Sequence, residues 1–350
     1  MDFSDAAVLV IAMMIALPLT AVVSASITAI SIRYARRRGM LDLPGQRRSH
    51  TIATPRGGGI GIVVATGLAC SVELMGNGTH PAALLAAIAL VAAAGWIDDH
   101  RGLGAIPRLL LHFCAAGIFL ASLQRPAHLQ PALLVGFALA LVAVVWSINL
   151  HNFMDGINGL LACQAIFVLG VLSVLCAERL ESTTHAAVLL LAATATLAFL
   201  PFNFPRARIF MGDVGSGVLG LLIGIGVLWQ MSVTETAWLS GVIACSAFVT
   251  DATCTLLSRM LRGRRWYSAH REHLYQWMTR TGMSHSRVVV WYMGWNLLVV
   301  VPVLYLANQG DPPGAGFFWA AAIYVLAAAI WVLGKRWCLN KVKNATKQKV

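Results

Sequence analysis

Four polar residues, each three positions from the last, interrupt an otherwise apolar part of the sequence. They are Asn149, Asn152, Asp155 and Asn158, in the stretch NLHNFMDGIN. Side chains at this spacing lie close together on a helix, and Gly156 permits a break or a close approach of the backbone. A carboxylate beside amides suits a base, a sugar or a metal-bound phosphate. A helix cap with interhelical amide hydrogen bonds is the alternative, but four polar groups exceed what a cap needs.

Two acidic motifs accompany this stretch. Asp98 and Asp99 end an apolar run in GWIDDHRGLG. Adjacent carboxylates repel each other, so keeping both ionised calls for a cation or strong hydrogen bonds, unless they are simply solvated at a helix end. Asp213 stands among glycines in FMGDVGSG, before another apolar run. A helix N-terminus there suits phosphate, and Asp213 could either hold Mg²⁺, which prefers oxygen ligands, or cap the helix.

A fourth motif, AHREHLYQ, contains His270, Arg271 and His273. The H-x-x-H spacing predicts both histidines on one helical face. Zinc needs at least a third ligand, and none is close in sequence, so contact with phosphate or sugar is favoured over metal. An amphipathic interfacial helix, anchored by aromatic residues such as Trp277, is the alternative.

Two weaker signals complete the pattern. Asp251 lies inside an apolar run, and a carboxylate within a membrane helix is a functional candidate by default, with Arg259 or Arg262 as its expected partner.

Residues 57–59 are all glycine. They could bring the backbone close to a ligand, but glycine is also ordinary packing material between membrane helices, which is the favoured interpretation.

The composition predicts the elements that must position these residues. The chain has 350 residues, of which 58% are hydrophobic and 11% charged, with a mean hydropathy of +0.74. A soluble domain is about one-quarter charged, so we expect an all-α, polytopic membrane bundle: one integral membrane domain over 1–350 with a basic cytoplasmic tail at 335–350. The seven cysteines include no C-x-x-C pair, which argues against zinc or a disulfide framework.

Apolar runs of the length that crosses a bilayer predict ten or eleven transmembrane helices, with eleven candidates at 7–32, 58–75, 81–97, 107–123, 131–148, 159–177, 185–202, 214–231, 237–257, 288–306 and 315–334.

The basic residues predict how the bundle is oriented. If the connection 33–57 is cytoplasmic, all 26 Lys and Arg residues except Arg125 and Arg179 fall on the cytoplasmic side. The positive-inside rule then puts the N-terminus in the periplasm and the C-terminus in the cytoplasm. All four motifs share the cytoplasmic face. The net charge of +12 is explained by orientation and by attraction to anionic lipid, and we expect no nucleic acid partner.

In order and spacing, Asp98-Asp99, NLHNFMDGINGL, RIFMGDVGS and the late histidine motif resemble the polyprenyl-phosphate N-acetylhexosamine-1-phosphate transferases of glycosyltransferase family 4. The resemblance covers about residues 33–290, and HREHLYQ looks more like the O-antigen-initiating branch than the peptidoglycan enzyme. It implies transfer of a sugar 1-phosphate from a UDP-N-acetylhexosamine to undecaprenyl phosphate, with release of UMP, at the bacterial inner membrane. It also implies Mg²⁺, with Mn²⁺ as an alternative, and is compatible with a homodimer.

The resemblance also implies roles for single residues. Asp213 is the best candidate for the metal, together with Asp155. Asp98 and Asp99 match an acidic pair that deprotonates the lipid phosphate or holds metal. Asn152 and Asp155 match polar residues of the catalytic pocket.

Further positions match contacts to the substrates. His270 and His273 match a motif that contacts the diphosphate or the sugar, with Arg271 beside them. Phe210 matches a residue that stacks on uracil. The positions that cradle the uridine are Gly156, Ile157, Asn158, Asn203 and Phe210.

Two other functional classes remain as alternatives. A cation-coupled transporter would use Asp98, Asp155, Asp213 and Asp251 along its path. Transporters usually place such groups near the midplane, in repeated halves, whereas these motifs cluster at one face and no repeat is visible. A transferase that uses a CDP-alcohol would share the metal chemistry, but the D-G-x-x-A-R run typical of that class is absent from the sequence.

Overall fold

The computed structural model describes residues 3–42, 53–76, 81–123, 131–178, 182–234, 236–265, 270–309 and 314–347. Within these ranges the chain is helical apart from turns and one antiparallel pair of two-residue strands, β1 (Leu41–Asp42) and β2 (Thr54–Pro55). The helices are α1 (Phe3–Arg37), α2 (Ile60–Gly76), α3 (Pro81–Arg101), α4 (Ala105–Leu123), α5 (Pro131–Met154), α6 (Leu160–Cys176), α7 (Thr183–Asn203), α8 (Asp213–Trp229), α9 (Trp238–Ala244), α10 (Ser246–Leu261), α11 (Leu274–Arg280), α12 (His285–Trp295), α13 (Val301–Ala307) and α14 (Ala315–Lys347).

The helices confirm a polytopic membrane architecture. In the part of the chain that the structure describes, seven helical segments are long and apolar enough to cross a membrane, and α9 with α10, bent by 71°, is an eighth if the pair is one span. Each of the eleven predicted runs coincides with a helix or a broken helix pair. By length and composition the spans number seven or eight rather than eleven, because α2, α6 and α8 are short. Gly159 and Gly212 have positive φ at the starts of α6 and α8, and each helix has only 17 residues.

Helix α8 is the centre of the bundle, and small residues let its neighbours approach closely. A Cβ on Gly220 would lie 2.7 Å from the Cα of Ile148 in α5, and a Cβ on Gly95 of α3 would lie 2.4 Å from the carbonyl carbon of Asp213. Close approach of backbones at small residues is the usual basis of helix packing in membranes. The ends of α3 and α5 and the start of α8 therefore meet at one end of the bundle.

The glycine run 57–59 packs beside this meeting point. Gly58 N–H donates to the carbonyl of Phe210 (2.9 Å), and Gly59 N–H donates to the carbonyl of Met211 (2.8 Å). A Cβ on Gly59 would lie 2.4 Å from the Cα of Gly215 in α8. The favoured interpretation of these glycines as packing residues is therefore confirmed, and they hold residues 210–211, directly before α8, in place.

Candidate active site

Asp98 and Asp213, which lie 115 positions apart in sequence, share one cation. The Nη1 atom of Arg108, in the first turn of α4, is 3.0 Å from Asp98 Oδ2 and 2.9 Å from Asp213 Oδ2. Leu103 N–H donates to the other oxygen of Asp98. All three charged side chains are partly exposed, at 21% for Arg108, 18% for Asp98 and 28% for Asp213. Two converging carboxylates with access to solvent form a site for positive charge.

The carboxylate of Asp99, unlike that of Asp98, binds the backbone at the start of α8. It accepts hydrogen bonds from the backbone N–H groups of Asp213 (3.2 Å) and Val214 (3.3 Å), the first two residues of α8. These N–H groups have no acceptor within the helix, so Asp99 caps α8. A Cβ on Gly212 would lie 2.5 Å from Asp99 Oδ2, and Gly212 has φ +76°, so glycine is required there. The predicted acidic pair thus divides into one solvent-accessible carboxylate and one that is only 3% exposed.

The polar stripe at 149–158 does not continue along one helix. α5 ends at Met154, and residues 155–159, the Asp155 loop, turn into α6. Asn149 bonds back to the carbonyl of Val145 (2.7 Å), whereas the amide of Asn152 donates to Ser216 Oγ in α8 (3.1 Å). Only Asn152 and the Asp155 loop therefore face the start of α8.

Asp155 carries a carboxyl group that can exchange a proton near neutral pH. Burial raises its pKa, and repulsion from Asp99 adds to this, giving a value of about 7, although the N–H of Gly212 donates a hydrogen bond to it. A carboxyl with a pKa near 7 is suited to general acid–base work at physiological pH. A cation bound nearby would favour its ionised form.

The predicted nucleotide residues divide into positioning and accessible groups. Asn203 is 3% exposed and uses its whole amide, since Oδ1 accepts from Gly159 N–H (2.7 Å) and Nδ2 donates to the carbonyl of Ile209 (3.0 Å). Ile157 is also buried, at 5% exposed. Asn203 therefore ties the Asp155 loop to the irregular segment before α8, and Ile157 is buried beside it. Gly156 is exposed and Asn158 half-buried.

Two contacts fix the accessible part of the loop. The amide of Asn158 donates to the carbonyl of Pro205 (3.1 Å), and its backbone N–H donates to His285 Nδ1 (3.3 Å). A Cβ on Gly156 would lie 2.1 Å from the hydroxyl oxygen of Tyr275. The loop backbone is therefore held from two sides, while Gly156 remains open to solvent.

Phe210 lies in the segment directly before α8 and is held by its backbone. Its N–H donates to the carbonyl of Pro55 (2.8 Å), and its carbonyl accepts from Gly58 (2.9 Å). The ring is half-buried. A partly exposed aromatic ring on a fixed backbone is suited to stacking on a planar ligand.

The histidine segment, residues 270–273, is not helical, contrary to the predicted helical face. α11 begins only at Leu274, and the rings of His270 and His273 have centroids 5.0 Å apart. The ring of His273 also stacks on Phe153 at 6.2 Å, next to the Asp155 loop. Burial, then the neighbouring His273 and Arg259, lower the pKa of His270 to about 4. Neutral imidazoles, with the half-buried Arg271 beside them, therefore face this end of the bundle.

Two arginines form ion pairs with the carboxylate of the histidine segment. Arg259 and Arg264 both pair with Glu272. Burial would raise the pKa of Glu272, but these two guanidinium groups hold it below its ordinary value. The expected pairing of Asp251 with Arg259 or Arg262 is wrong. Its carboxylate instead accepts hydrogen bonds from backbone and side-chain donors of the surrounding helices, because Arg259 is engaged by Glu272.

The donor set fits a hard divalent cation. In the described residues no three His, Cys, Asp or Glu side chains are placed to hold one metal, so Asp155 does not form a ready ligand set with Asp98 and Asp213. Two carboxylate oxygens nevertheless converge on a single nitrogen of Arg108. Mg²⁺ is usually held by one or two carboxylates, with water and substrate phosphates completing its shell. Asp98 and Asp213 offer such a pair.

The sequence motifs missed two functional residues. Arg108 contributes to the orientation signal in the sequence, but an arginine near the start of an apolar run is also expensive in a membrane and so marks a site. Tyr275 belongs to the motif AHREHLYQ, and its hydroxyl donates to the carbonyl of Phe153 (3.0 Å) and joins α11 to the end of α5. Nothing in the sequence marks this second contact, because it joins residues 122 positions apart.

Comparison with known proteins bears on the same region. The sequence model of the family described as Glycosyl transferase family 4 matches residues 81–231, which include Asp98, Asp155 and Asp213. Decaprenyl-phosphate N-acetylglucosaminephosphotransferase of Mycobacterium tuberculosis is 29% identical over 294 residues, covering 73% of each chain. A probable undecaprenyl-phosphate N-acetylglucosaminyl 1-phosphate transferase of Bacillus subtilis is 27% identical over 294 residues, covering 81% of this chain and 82% of the relative.

A relative with a different printed activity matches as well. Phospho-N-acetylmuramoyl-pentapeptide-transferase of Chlamydia trachomatis is 30% identical over 247 residues, covering 61% of this chain and 71% of the relative. The matches thus join proteins that differ in sugar but share the transferase class. Together they show that the chain belongs to glycosyl transferase family 4, the superfamily of polyprenyl-phosphate hexosamine-1-phosphate transferases.

Proposed function

We propose that the chain transfers an N-acetylhexosamine 1-phosphate from a UDP-sugar to undecaprenyl phosphate and releases UMP, as the first membrane step of O-antigen or related envelope glycan synthesis. The observation that carries the proposal is the convergence of Asp98 and Asp213 on one cationic point at the N-terminus of α8. A helix N-terminus favours phosphate, and the paired carboxylates favour the cation that phosphate requires. The transporter alternative receives no support from the relatives.

The chemistry is an exchange of one phosphoanhydride bond for another. An oxygen of the lipid phosphate attacks the β-phosphorus of the UDP-sugar, the bond from that phosphorus to the bridging oxygen breaks, and UMP leaves with the bonding electron pair. Phosphoryl transfer depends chiefly on positioning and electrostatic stabilisation. The serine of the α8 motif, Ser216, is 1% exposed and accepts a hydrogen bond from Asn152, so it is not placed as a nucleophile, and we favour direct attack by the acceptor.

The residues divide this work among them. Bound Mg²⁺, or Mn²⁺, would neutralise the phosphate oxygens and stabilise charge on the leaving UMP; Asp98 and Asp213 would hold it. Arg108 lies where it can pair with a phosphate once a metal takes its place between the carboxylates. Asp155 accepts the proton of a protonated acceptor phosphate, since its pKa of about 7 matches that task.

An apolar groove supports a lipid acceptor. It has a volume of about 480 Å³ between α10, α12 and α14, and its walls include Trp291, Trp295 and Trp331. Leu274, the residue after His273, also lines it. A hydrocarbon chain that lies in the bilayer could pack against these apolar walls, and it would end beside the histidine segment.

The orientation of the protein follows the basic residues. We place the N-terminus in the periplasm, the C-terminus in the cytoplasm and the site on the cytoplasmic face of a bacterial inner membrane, because the positive-inside rule requires it. The three short apolar helices bring the proposed number of spans to eleven if they also cross the membrane. UDP-sugars are cytoplasmic, so this face is the one that the donor can reach.

The first experiment is a measurement of UMP release by detergent-purified protein with undecaprenyl phosphate, Mg²⁺ and a panel of UDP-N-acetylhexosamines. UDP-N-acetylglucosamine is the first donor to test, since two relatives carry that sugar in their names. We expect release with one sugar that requires both lipid and metal. Release of UMP without lipid, or no release with any sugar from folded protein, would contradict the proposal.

Replacing Phe210 tests the nucleotide end of the site. Phe210→Ala should raise the KM for the UDP-sugar with little change in the KM for the lipid. Stacking of a base on an aromatic ring contributes about 1–3 kcal/mol, which corresponds to a KM roughly 5- to 150-fold higher. The fold should survive, since Phe210 is held by backbone hydrogen bonds that the substitution leaves in place.

The control is Phe210→Trp, which keeps an aromatic face and should restore most of the affinity. Steady-state kinetics with each substrate varied in turn distinguishes the two KM values. A change confined to the lipid KM would assign Phe210 to the acceptor instead of uridine.

A further inference from the structure

Asp251 collects hydrogen bonds from four helices at one buried point. It lies in α10, is 2% exposed, and accepts from Tyr292 of α12 (2.7 Å) and Trp331 of α14 (3.0 Å), as well as from Thr255 of α10 itself (3.3 Å). An ionised group in a membrane helix is costly and marks function by default. None of these three bonds explains a function, since the first two join membrane helices that already pack together and the third lies within α10.

The remaining two bonds lead to the active site. Asp251 accepts from the backbone N–H groups of Leu274 (2.7 Å) and Tyr275 (3.4 Å), the first two residues of α11. Such N–H groups have no acceptor inside their helix, and leaving them buried without one costs free energy. Asp251 therefore fixes where α11 begins, directly after the histidine segment.

The position of α11 in turn fixes the position of the Asp155 loop. Tyr275 donates its hydroxyl to the carbonyl of Phe153 (3.0 Å), and that hydroxyl leaves no room for a Cβ on Gly156. On the other side, the ring of His273 lies between those of Phe153 and Tyr275, at 6.2 and 5.9 Å. A shift of α11 would move the histidine segment and the loop together.

We infer that Asp251 is a positioning residue: it holds the histidine segment and, through Tyr275, the Asp155 loop in register with the start of α8. The inference rests on the proposed function for its kinetic consequence but not for its structural one. Asp251 also lines the apolar groove, but its carboxylate oxygens are occupied by hydrogen bonds from the surrounding helices, so its effect on the reacting phosphates is indirect. It acts through α11, and removing its charge should loosen residues 270–278 while leaving the bundle intact.

The structural test uses hydrogen exchange in Asp251→Asn. Asparagine has one acceptor oxygen, so it cannot accept all five bonds. We expect the backbone amides of residues 274–278 to exchange at least roughly tenfold faster than in the wild type, with α8 unchanged. Tyr324→Phe is the matched control, since it deletes a buried hydrogen bond from α14 to Val242 far along the chain from α11. Unchanged exchange at 274–278 in Asp251→Asn would overturn the inference whatever the enzyme's substrate.

The kinetic test is a double-mutant cycle with His273→Ala. Small displacements of reacting groups can cost about 100-fold in rate, so we expect kcat of Asp251→Asn to fall roughly 10- to 100-fold, with the KM for the UDP-sugar within about threefold. Because Asp251 acts in part through the histidine segment, the loss in the double variant should be clearly smaller than the product of the two single losses. Effects that multiply would show two independent roles and overturn the inference. If the wild type releases no UMP, the proposed function fails, while the exchange experiment still decides the position of α11.

Discussion

Asp213→Asn is expected to abolish turnover while leaving the protein folded. The substitution keeps the size of the side chain and the backbone N–H that Asp99 caps, but it removes one of the two negative oxygens that converge on Arg108. A metal ion contributes several kcal/mol to the stabilisation of phosphoryl transfer. Since about 1.4 kcal/mol is a factor of ten in rate, UMP release should fall roughly 1,000-fold or more.

The control for this variant is Glu178→Gln, which also removes one negative charge. Glu178 lies just after the C-terminal end of α6, whereas the Asp155 loop lies at its N-terminal end. That variant should release UMP as the wild type does. The thermal midpoints of both variants should stay close to that of the wild type, measured without substrate. Near-normal release from Asp213→Asn at saturating Mg²⁺ would remove Asp213 from the metal site and contradict the proposed Asp98–Asp213 ligand pair.

The acidic residues could be found from sequence because each stands where an apolar run begins or ends. Polar groups at such positions are few in a membrane protein, and those that form motifs stand out. Their division of labour could not be found in this way. Asp98 and Asp99 are neighbours in sequence, yet only Asp99 turns toward the free N–H groups of α8. Which carboxylate does so depends on the rotation of α3 against α8, and the close approach at Gly95 sets that rotation.

The histidine segment shows the limit of periodicity more directly. The H-x-x-H spacing predicts a shared helical face, but α11 begins one residue after His273. The start is set by acceptors on Asp251, more than twenty positions earlier in the chain. The H-x-x-H spacing describes only contacts within one helix. It therefore cannot predict a helix start that is fixed by hydrogen bonds to a residue of another helix.

Removing Arg108 should separate its two roles. In Arg108→Met the carboxylates of Asp98 and Asp213 lose their shared cation and face each other uncompensated. In EDTA we expect the variant to lose about 1–3 kcal/mol of stability, which lowers its thermal midpoint relative to the wild type. UMP release should also fall, because no guanidinium remains to pair with a phosphate.

The response to Mg²⁺ is the decisive measurement for this variant. In the wild type a metal must first break two ion pairs of 2.9 and 3.0 Å, whereas in Arg108→Met the same carboxylates are free to bind it. A ligand that binds only the folded state raises stability more as its Kd falls. The midpoint of Arg108→Met should therefore rise further with Mg²⁺ than that of the wild type, although UMP release falls. Arg264→Met is the control, since Arg264 pairs with Glu272 and not with Asp98 or Asp213. This variant should respond to Mg²⁺ as the wild type does. Equal responses of Arg108→Met and the wild type would mean that the metal binds elsewhere, because no competition for Asp98 and Asp213 would then exist.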